Sequence, residues 1–242
     1  MASRSPRWLG LITLLLAILA LALSLTGCAG PVGSAPPPER LPPAPELLTR
    51  SADAMAKVKT MGVDLHVDPV TSRLPLRSAT GKMTAEGEAV GSVILGHSDS
   101  PVEFQFVVTH GDLYLKGATG PYQRLPLTMA ASLYDPTALL RPDTGVAALL
   151  RTATGGVTEA SESVAGVPAY RVRANFDPQL IGSVLPGLTG ATSGRVWIDK
   201  ASSRLLKTQL DLPANERDPA TSVIVTLTDF DAPVNVTVPT TS

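Results

Sequence analysis

Cys28 is the one cysteine in a chain of 242 residues, and its neighbours set its chemistry. It follows Leu25-Thr26-Gly27, so a small residue directly precedes the thiol. This looks like a bacterial lipobox. There the cysteine sulfur receives diacylglycerol, the leader is cut just before it, and the freed amine is open to acylation. Upstream, Arg4 and Arg7 supply a positive start, and Leu9 to Leu25 is an unbroken run of mostly Leu, Ala and Ile. Such a run reads as a signal h-region or as a short membrane anchor, since spanning needs about 20 apolar residues. The lone cysteine at the useful position favours cleavage. One acyl chain holds a protein to a bilayer only marginally, whereas two or three anchor it stably. Residues 1–27 are therefore expected as a signal peptide, with the mature chain lipid-anchored to the cell membrane on its extracytoplasmic side.

The remaining reactive side chains form no recognisable catalytic set. His66 sits on the polar side of an alternating stretch, and His97 and His110 fall at loop or turn positions, without spaced carboxylate or thiol companions. His97 with Asp99 gives two donors, fewer than a metal site needs, and no metal or cofactor is expected. No G-x-S-x-G nucleophile elbow occurs. No two glycines stand as G-x-G, and Gly81-Lys82 lacks the earlier glycine of a phosphate loop because position 76 is Leu. Asn235-Val236-Thr237 matches a glycosylation acceptor, a short pattern that the bacterial leader argues against. Net charge is -1, and removing residues 1–27 takes away two arginines and no acid. Nucleic acid is a poor partner for such a surface, because it demands clustered Lys and Arg. The expectation is a protein that is not an enzyme.

The elements that would position anything else begin after a spacer. Pro31 to Pro45 reads PVGSAPPPERLPPAP, a composition that favours extended polyproline and buries no core. At about 3.1 Å per residue it would hold a domain about 50 Å from a bilayer. Residues 28–45 are thus expected as acylated tether and 46–242 as a single domain. Glu46 to Met61 reads as a helix stopped by Gly62, with Leu48, Ala52 and Met55 on one face. Alternation then predicts strands at Val63 to Val67, Lys82 to Glu86, Val93 to Leu95, Val102 to Val108 and Leu113 to Leu115, with a tight turn at His110-Gly111-Asp112 and Gly87 or Gly91 marking a turn or bulge. Short helices follow at Ser132 to Leu140, Thr144 to Thr152 and Asp177 to Leu185. Strands return around Tyr170 to Ala174, Arg195 to Asp199, Leu205 to Leu212 and Ser222 to Phe230, with Val234, Val236 and Val238 expected to extend an edge. The fold class is α+β: a curved antiparallel sheet with helices packed on one face.

With 44% hydrophobic but only 4% aromatic residues, the inward strand faces make either a plain core or the wall of an alkyl-lined slot. Alternation puts Val63, Leu65, Met83, Val93, Leu95, Phe104, Phe106, Leu113, Val196, Ile198, Leu206 and Leu210 on that wall, with Leu149 and Leu185 facing it from the helices. A lipid crossing an aqueous envelope must keep its tails dry, and a sixteen-carbon chain represents about 12 kcal/mol of burial.

Tyr134-Asp135-Pro136, Leu140 with Arg141-Pro142-Asp143-Thr144-Gly145, Val196-Trp197-Ile198, Gln209-Leu210-Asp211, and Phe106-Val107-Val108 with Leu113-Tyr114 occur in order along the chain. From about Leu47 to Val238 the sequence resembles the mycobacterial LppX/LprA/LprF/LprG lipoprotein family, most of all its LprA and LprG branches. The resemblance implies a half-barrel sheet like that of the LolA/LolB carriers, enclosing a hydrophobic cavity. It implies multiply acylated cargo such as phosphatidylinositol mannosides, lipoarabinomannan or triacylglycerol, and hand-over to an envelope transporter or acceptor. It also implies recognition of the acylated N-terminus by host Toll-like receptors, and it brings no catalytic motif.

Overall fold

The computed structural model describes residues 40–72, 74–96, 101–130, 136–185, 188 and 193–241. Cys28, the proline-rich stretch before Arg40, His97, Asp99, Tyr134 and Asp135 lie outside them. From Leu41 onward the chain makes one unit of mutually contacting elements.

Helix α1, Ala44–Met55, buries Leu47, Leu48, Ser51, Ala52 and Met55, a stripe spaced by three and four residues. Pro45, expected at the end of the spacer, lies in its first turn, where a missing N–H costs nothing. The helix stops at Met55, not at Met61, because Thr60 already begins strand β1, Thr60–Asp68. Met61, Val63, Leu65 and Val67 alternate there, and the strand gains hydrogen-bonded neighbours on both sides. Gly62, expected as a helix stop, sits inside that strand.

Among the described residues ten further strands follow: β2 (Leu76–Thr84), β3 (Ala89–Leu95), β4 (Val102–Thr109), β5 (Asp112–Lys116), β6 (Gln123–Pro126), β7 (Thr154–Val164), β8 (Val167–Asn175), β9 (Ser193–Asp199), β10 (Leu205–Leu212) and β11 (Thr221–Thr228). They form one curved sheet in the order β6-β5-β4-β3-β2-β1-β11-β10-β9-β8-β7. Two antiparallel meanders are thereby joined where the first and last strands pair. At the tip of the β4–β5 hairpin, His110 and Gly111 take φ of 53° and 79°, as a two-residue hairpin turn requires.

Between the meanders come α2 (Leu127–Ala130), a 3-10 segment (Pro136–Leu140) and α3 (Val146–Arg151), and α4 (Pro178–Val184) joins β8 to β9. Asp177 caps α4 by accepting a bond from Gln179 N at 2.8 Å, with Pro178 in the first turn, as its sequence predicts. Helix α1 packs on α3 and touches β7, α3 packs on α4, and the 3-10 segment reaches β2. Their buried side chains join those of one face of the sheet in a single core.

Several expectations need correction. Gly91 is mid-strand, and the β2–β3 turn is at Gly87, φ 92°. Strands β6 and β7 carry no apolar alternation, reading QRLP and TGGVTEASESV; they form at the sheet's two edges because a neighbour supplies the pairing. Val234, Val236 and Val238 form no strand. Alternation alone does not make one, and both sides of β11 are already taken by β1 and β10.

Candidate functional site

Cross-strand partners in an antiparallel sheet share a face, so the register traces the inner, helix-covered surface row by row. One row runs Thr208, Val225, Leu65, Ala79, Val93, Phe104. The next runs Leu227, Val63, Gly81, Gly91, Phe106, Leu115, and a third runs Met61, Met83, Ala89, Val108, Leu113, Leu125. On the other meander, Tyr170 and Val172 lie beside Ile198 and Val196, and Leu210 beside Val223.

Burial along these rows is uneven. On β8–β11, Val172, Val196, Ile198, Leu210 and Val223 are sealed under the helices. At the other end the same face opens. Val93, Leu95, Phe104 and Leu115 are only half-buried, and Val102, opposite Leu95, is 45% exposed. The inner surface is thus sealed over β8–β11 and along the row Met61, Met83, Ala89, Val108, and is only partly covered, as an apolar trough, at Val93, Leu95, Phe104 and Leu115 of β3–β5.

Thirteen of the fourteen residues expected on the inner wall point inward or sit beneath the helices. Met83, Leu149, Leu185, Val196, Ile198 and Leu210 belong to the sealed part. Val63, Phe106 and Leu113 pack at its margin, and Val93, Leu95 and Phe104 lie in the open part. Leu65 is sealed at 3% exposure. Leu206 departs. The β9–β10 register shifts between Leu205 and Lys207, so Leu205 takes the place opposite Ile198 and is the sealed residue, while Leu206 is half-buried outside the core. The amide of Leu205 donates to Met55 Sδ of α1 at 3.4 Å, which ties the bulge to the helix.

The sequence reading missed the glycine pair in the middle of the trough. A Cβ on Gly91 would lie 2.1 Å from the Thr80 carbonyl oxygen and 2.9 Å from the Phe106 ring. The tip of the ring therefore packs close against the backbone of Gly81 and Gly91, which bears no side chains. Two glycines inside otherwise alternating strands signal such a close approach.

The outer face of β7–β11 is ionic. Glu159 accepts from Arg171, Arg173 and Arg195 at 3.1–3.2 Å, Glu162 accepts from Arg171 and from the Trp197 indole N–H, and Arg195 continues to Asp211. Burial raises the pKa of Glu159, but the hydrogen bond and charge of Arg195, with those of Arg171 and Arg173, outweigh it and hold the group below its ordinary value. This carboxylate is wholly engaged in holding strands together. Among the described residues no group of three His, Cys, Asp or Glu converges on a point that could hold a metal. His66 is exposed on β1 and His110 lies in a turn; His97 and Asp99 lie outside the described residues.

Residues 43–236 match the family described as LppX_LprAFG lipoprotein. The chain belongs to this lipoprotein family. It is similar, at 32% identity over 93% of its length and 94% of the relative's, to a protein of Mycolicibacterium smegmatis named lipoarabinomannan carrier protein LprG. The protein of that name from Mycobacterium leprae is 27% identical, with 84% of each chain covered. Among solved structures, LprF of Mycobacterium bovis superposes with a TM-score of 0.70 at 23% identity, covering 81% of this chain and 96% of LprF. LppX of Mycobacterium tuberculosis gives 0.58 at 18% identity, covering 81% and 100%. These likenesses establish the α+β fold: one open antiparallel sheet with a few helices on its inner side. Membership also makes the family's resemblance motifs structurally legible. In Arg141-Pro142-Asp143-Thr144-Gly145, a Cβ on Gly145 would meet the carbonyl oxygens of Leu139, Arg141 and Ala138 at 2.4, 2.5 and 2.8 Å. The motif is a backbone corner that sets α3 against the 3-10 segment.

Proposed function

We propose that this lipoprotein carries acylated lipids or glycolipids across the cell envelope, with the tails lying in the inner trough over β3–β5, and that it performs no catalysis. The observation that carries the reading is the unequal covering of one apolar face. Val93, Phe104 and Leu115 stay only half-buried, and Val102 is exposed, on a surface whose continuation over β8–β11 is sealed. Exposed apolar area of this kind is unfavourable by about 25 cal/mol per Å², and a hydrocarbon guest removes it from water. The relatives named lipoarabinomannan carriers favour a glycolipid of the mannoside or lipoarabinomannan class, with triacylglycerol as the neutral counterpart. The tether through acylated Cys28 would keep the carrier at the extracytoplasmic side of the cell membrane, within reach of a transporter or acceptor.

The test is native mass spectrometry of the mature protein extracted from its own host in mild detergent, beside the variant Val93→Trp, which fills the trough. Defined acyl lipids should copurify with the parent and fall several-fold in the variant. A lipid-free parent, or equal loading of both, would sink the proposal. A second output, agonism at host Toll-like receptors, rests on the lone cysteine of the lipobox, and it is separable: Cys28→Ala should abolish receptor signalling while lipid binding by the domain persists.

A further inference from the structure

The outer face of the other meander holds a second concavity, of different chemistry. A depression of about 620 Å³ opens over β1–β4 and β11, and Val63, Val90 and Phe106 line it along with its polar groups. Its floor is low where small residues pair in two neighbouring outward rows, Gly62 with Thr228 and Thr80 with Ser92. Its rim is tall and polar. Lys82 stands 3.0 Å from Asp229, both half-exposed. Tyr122 donates its hydroxyl to Gln105 Oε1 at 3.2 Å, and Thr80 and Ser92 share a hydroxyl contact of 3.2 Å on the floor.

We propose that this depression binds a neutral glycan chain. Hydroxyl, carboxamide, carboxylate and ammonium groups surround it, and each keeps donor or acceptor capacity after its internal bond is made. That mixture suits a run of sugar hydroxyls, each of which donates and accepts at once. A phosphate is disfavoured, because the depression presents Asp64, Glu103 and Asp229 against Lys82 alone, and the balance stays acidic when Lys116, 5.7 Å from the Tyr122 ring centroid, is included. A cation has no cluster to hold it among the described residues. An added peptide strand has no free edge here, since β1, β2, β3 and β4 are each paired on both sides. The choice of sugars to test rests on the carrier reading above; the site itself does not.

The experiment is titration calorimetry of the mature protein in mild detergent with mannotetraose and arabinotetraose as neutral probes and mannose 6-phosphate as the anionic one. Ser92→Trp, which raises the floor, and Gln105→Ala, which removes a rim amide, serve as variants, and copurifying lipid is measured on the same preparations. Saturable binding of a neutral probe is expected, lost in Ser92→Trp and weakened about fivefold in Gln105→Ala, the worth of one hydrogen bond. No heat with either neutral probe, undiminished binding by Ser92→Trp, or tighter binding of the phosphorylated sugar would overturn the proposal. Lipid retained while glycan binding is absent overturns this site alone. Glycan bound by a lipid-free protein overturns the carrier reading alone.

Discussion

Glu159 lies within hydrogen-bonding distance of three guanidinium groups on two strands, and Gly91 under one aromatic ring on a third. Each is a place where a single side chain decides local stability. Glu159→Gln would leave Arg171, Arg173 and Arg195 facing one another with two of their three carboxylates, Glu162 and Asp211. A loss of about 1–2 kcal/mol is expected at neutral pH. The fold favours the ionised form, so its contribution is whole above the ordinary carboxylate value of 4.5 and drains away as pH falls through the lowered one. Urea midpoints of parent and variant should therefore differ at neutral pH and converge as the pH is taken below the lowered value. Gly91→Ala puts a methyl where backbone and ring already meet. The Thr80 carbonyl cannot swing aside as a side-chain tip could, so a loss of about 2 kcal/mol or more is expected. Thermal unfolding of Gly91→Ala beside Gly117→Ala would check it, because a Cβ at Gly117 meets only the Phe104 ring edge at 3.8 Å.

At the scale of elements, α1 and the corner before α3 hold the cover on the sealed part of the sheet. Leu48 is 3% exposed, and its neighbour across the packing is Gly156 of β7, where a Cβ would come within 3.1 Å of Leu48 Cδ1. Leu48→Ala should cost about 2–5 kcal/mol, read as a shift of the denaturant midpoint with little change in slope. Gly145→Ala should be worse, because three carbonyl oxygens crowd the new methyl. Loss of soluble folded protein, or hydrogen exchange spreading from α3 into α1, is the outcome to look for. Normal exchange protection in α3 would show that the corner relaxes easily.

For the whole molecule, the decisive contact is the pairing of β1 with β11 over seven registered positions. It closes a long loop in sequence and turns two meanders into one continuous sheet, so the sealed core and the open trough are two ends of the same surface. The proposed anchor at Cys28 belongs to the same scale. Replacing Cys28 by Ala should release the protein from the membrane fraction, since about 0.8 kcal/mol per buried methylene would vanish with the acyl chains. Fractionation of cells expressing the variant tests this. Persistence in the membrane fraction would point to an uncleaved leader as the anchor.

The sequence alone determined what short-range physics fixes. Alternation at Val63 to Val67 and Val102 to Val108 gave strand faces correctly, Asp177-Pro178 gave a helix start, and His110-Gly111 gave a hairpin turn, because each depends on residues within one or two turns of chain. It also carried the family motifs in their order. The tertiary structure decided what depends on partners far along the chain. Helix α1 ended early because β1 found two neighbours, and Leu205 displaced Leu206 because a bulge changed the parity. The polar segments of β6 and β7 became strands only because an edge lay waiting, while the alternating valines after Val234 found none. Whether an apolar face is core or trough was likewise undecidable from residue types, since Val93 and Val196 are the same side chain. Val196 belongs to the buried core and Val93 does not, and that difference is set by packing between elements, which no local pattern encodes.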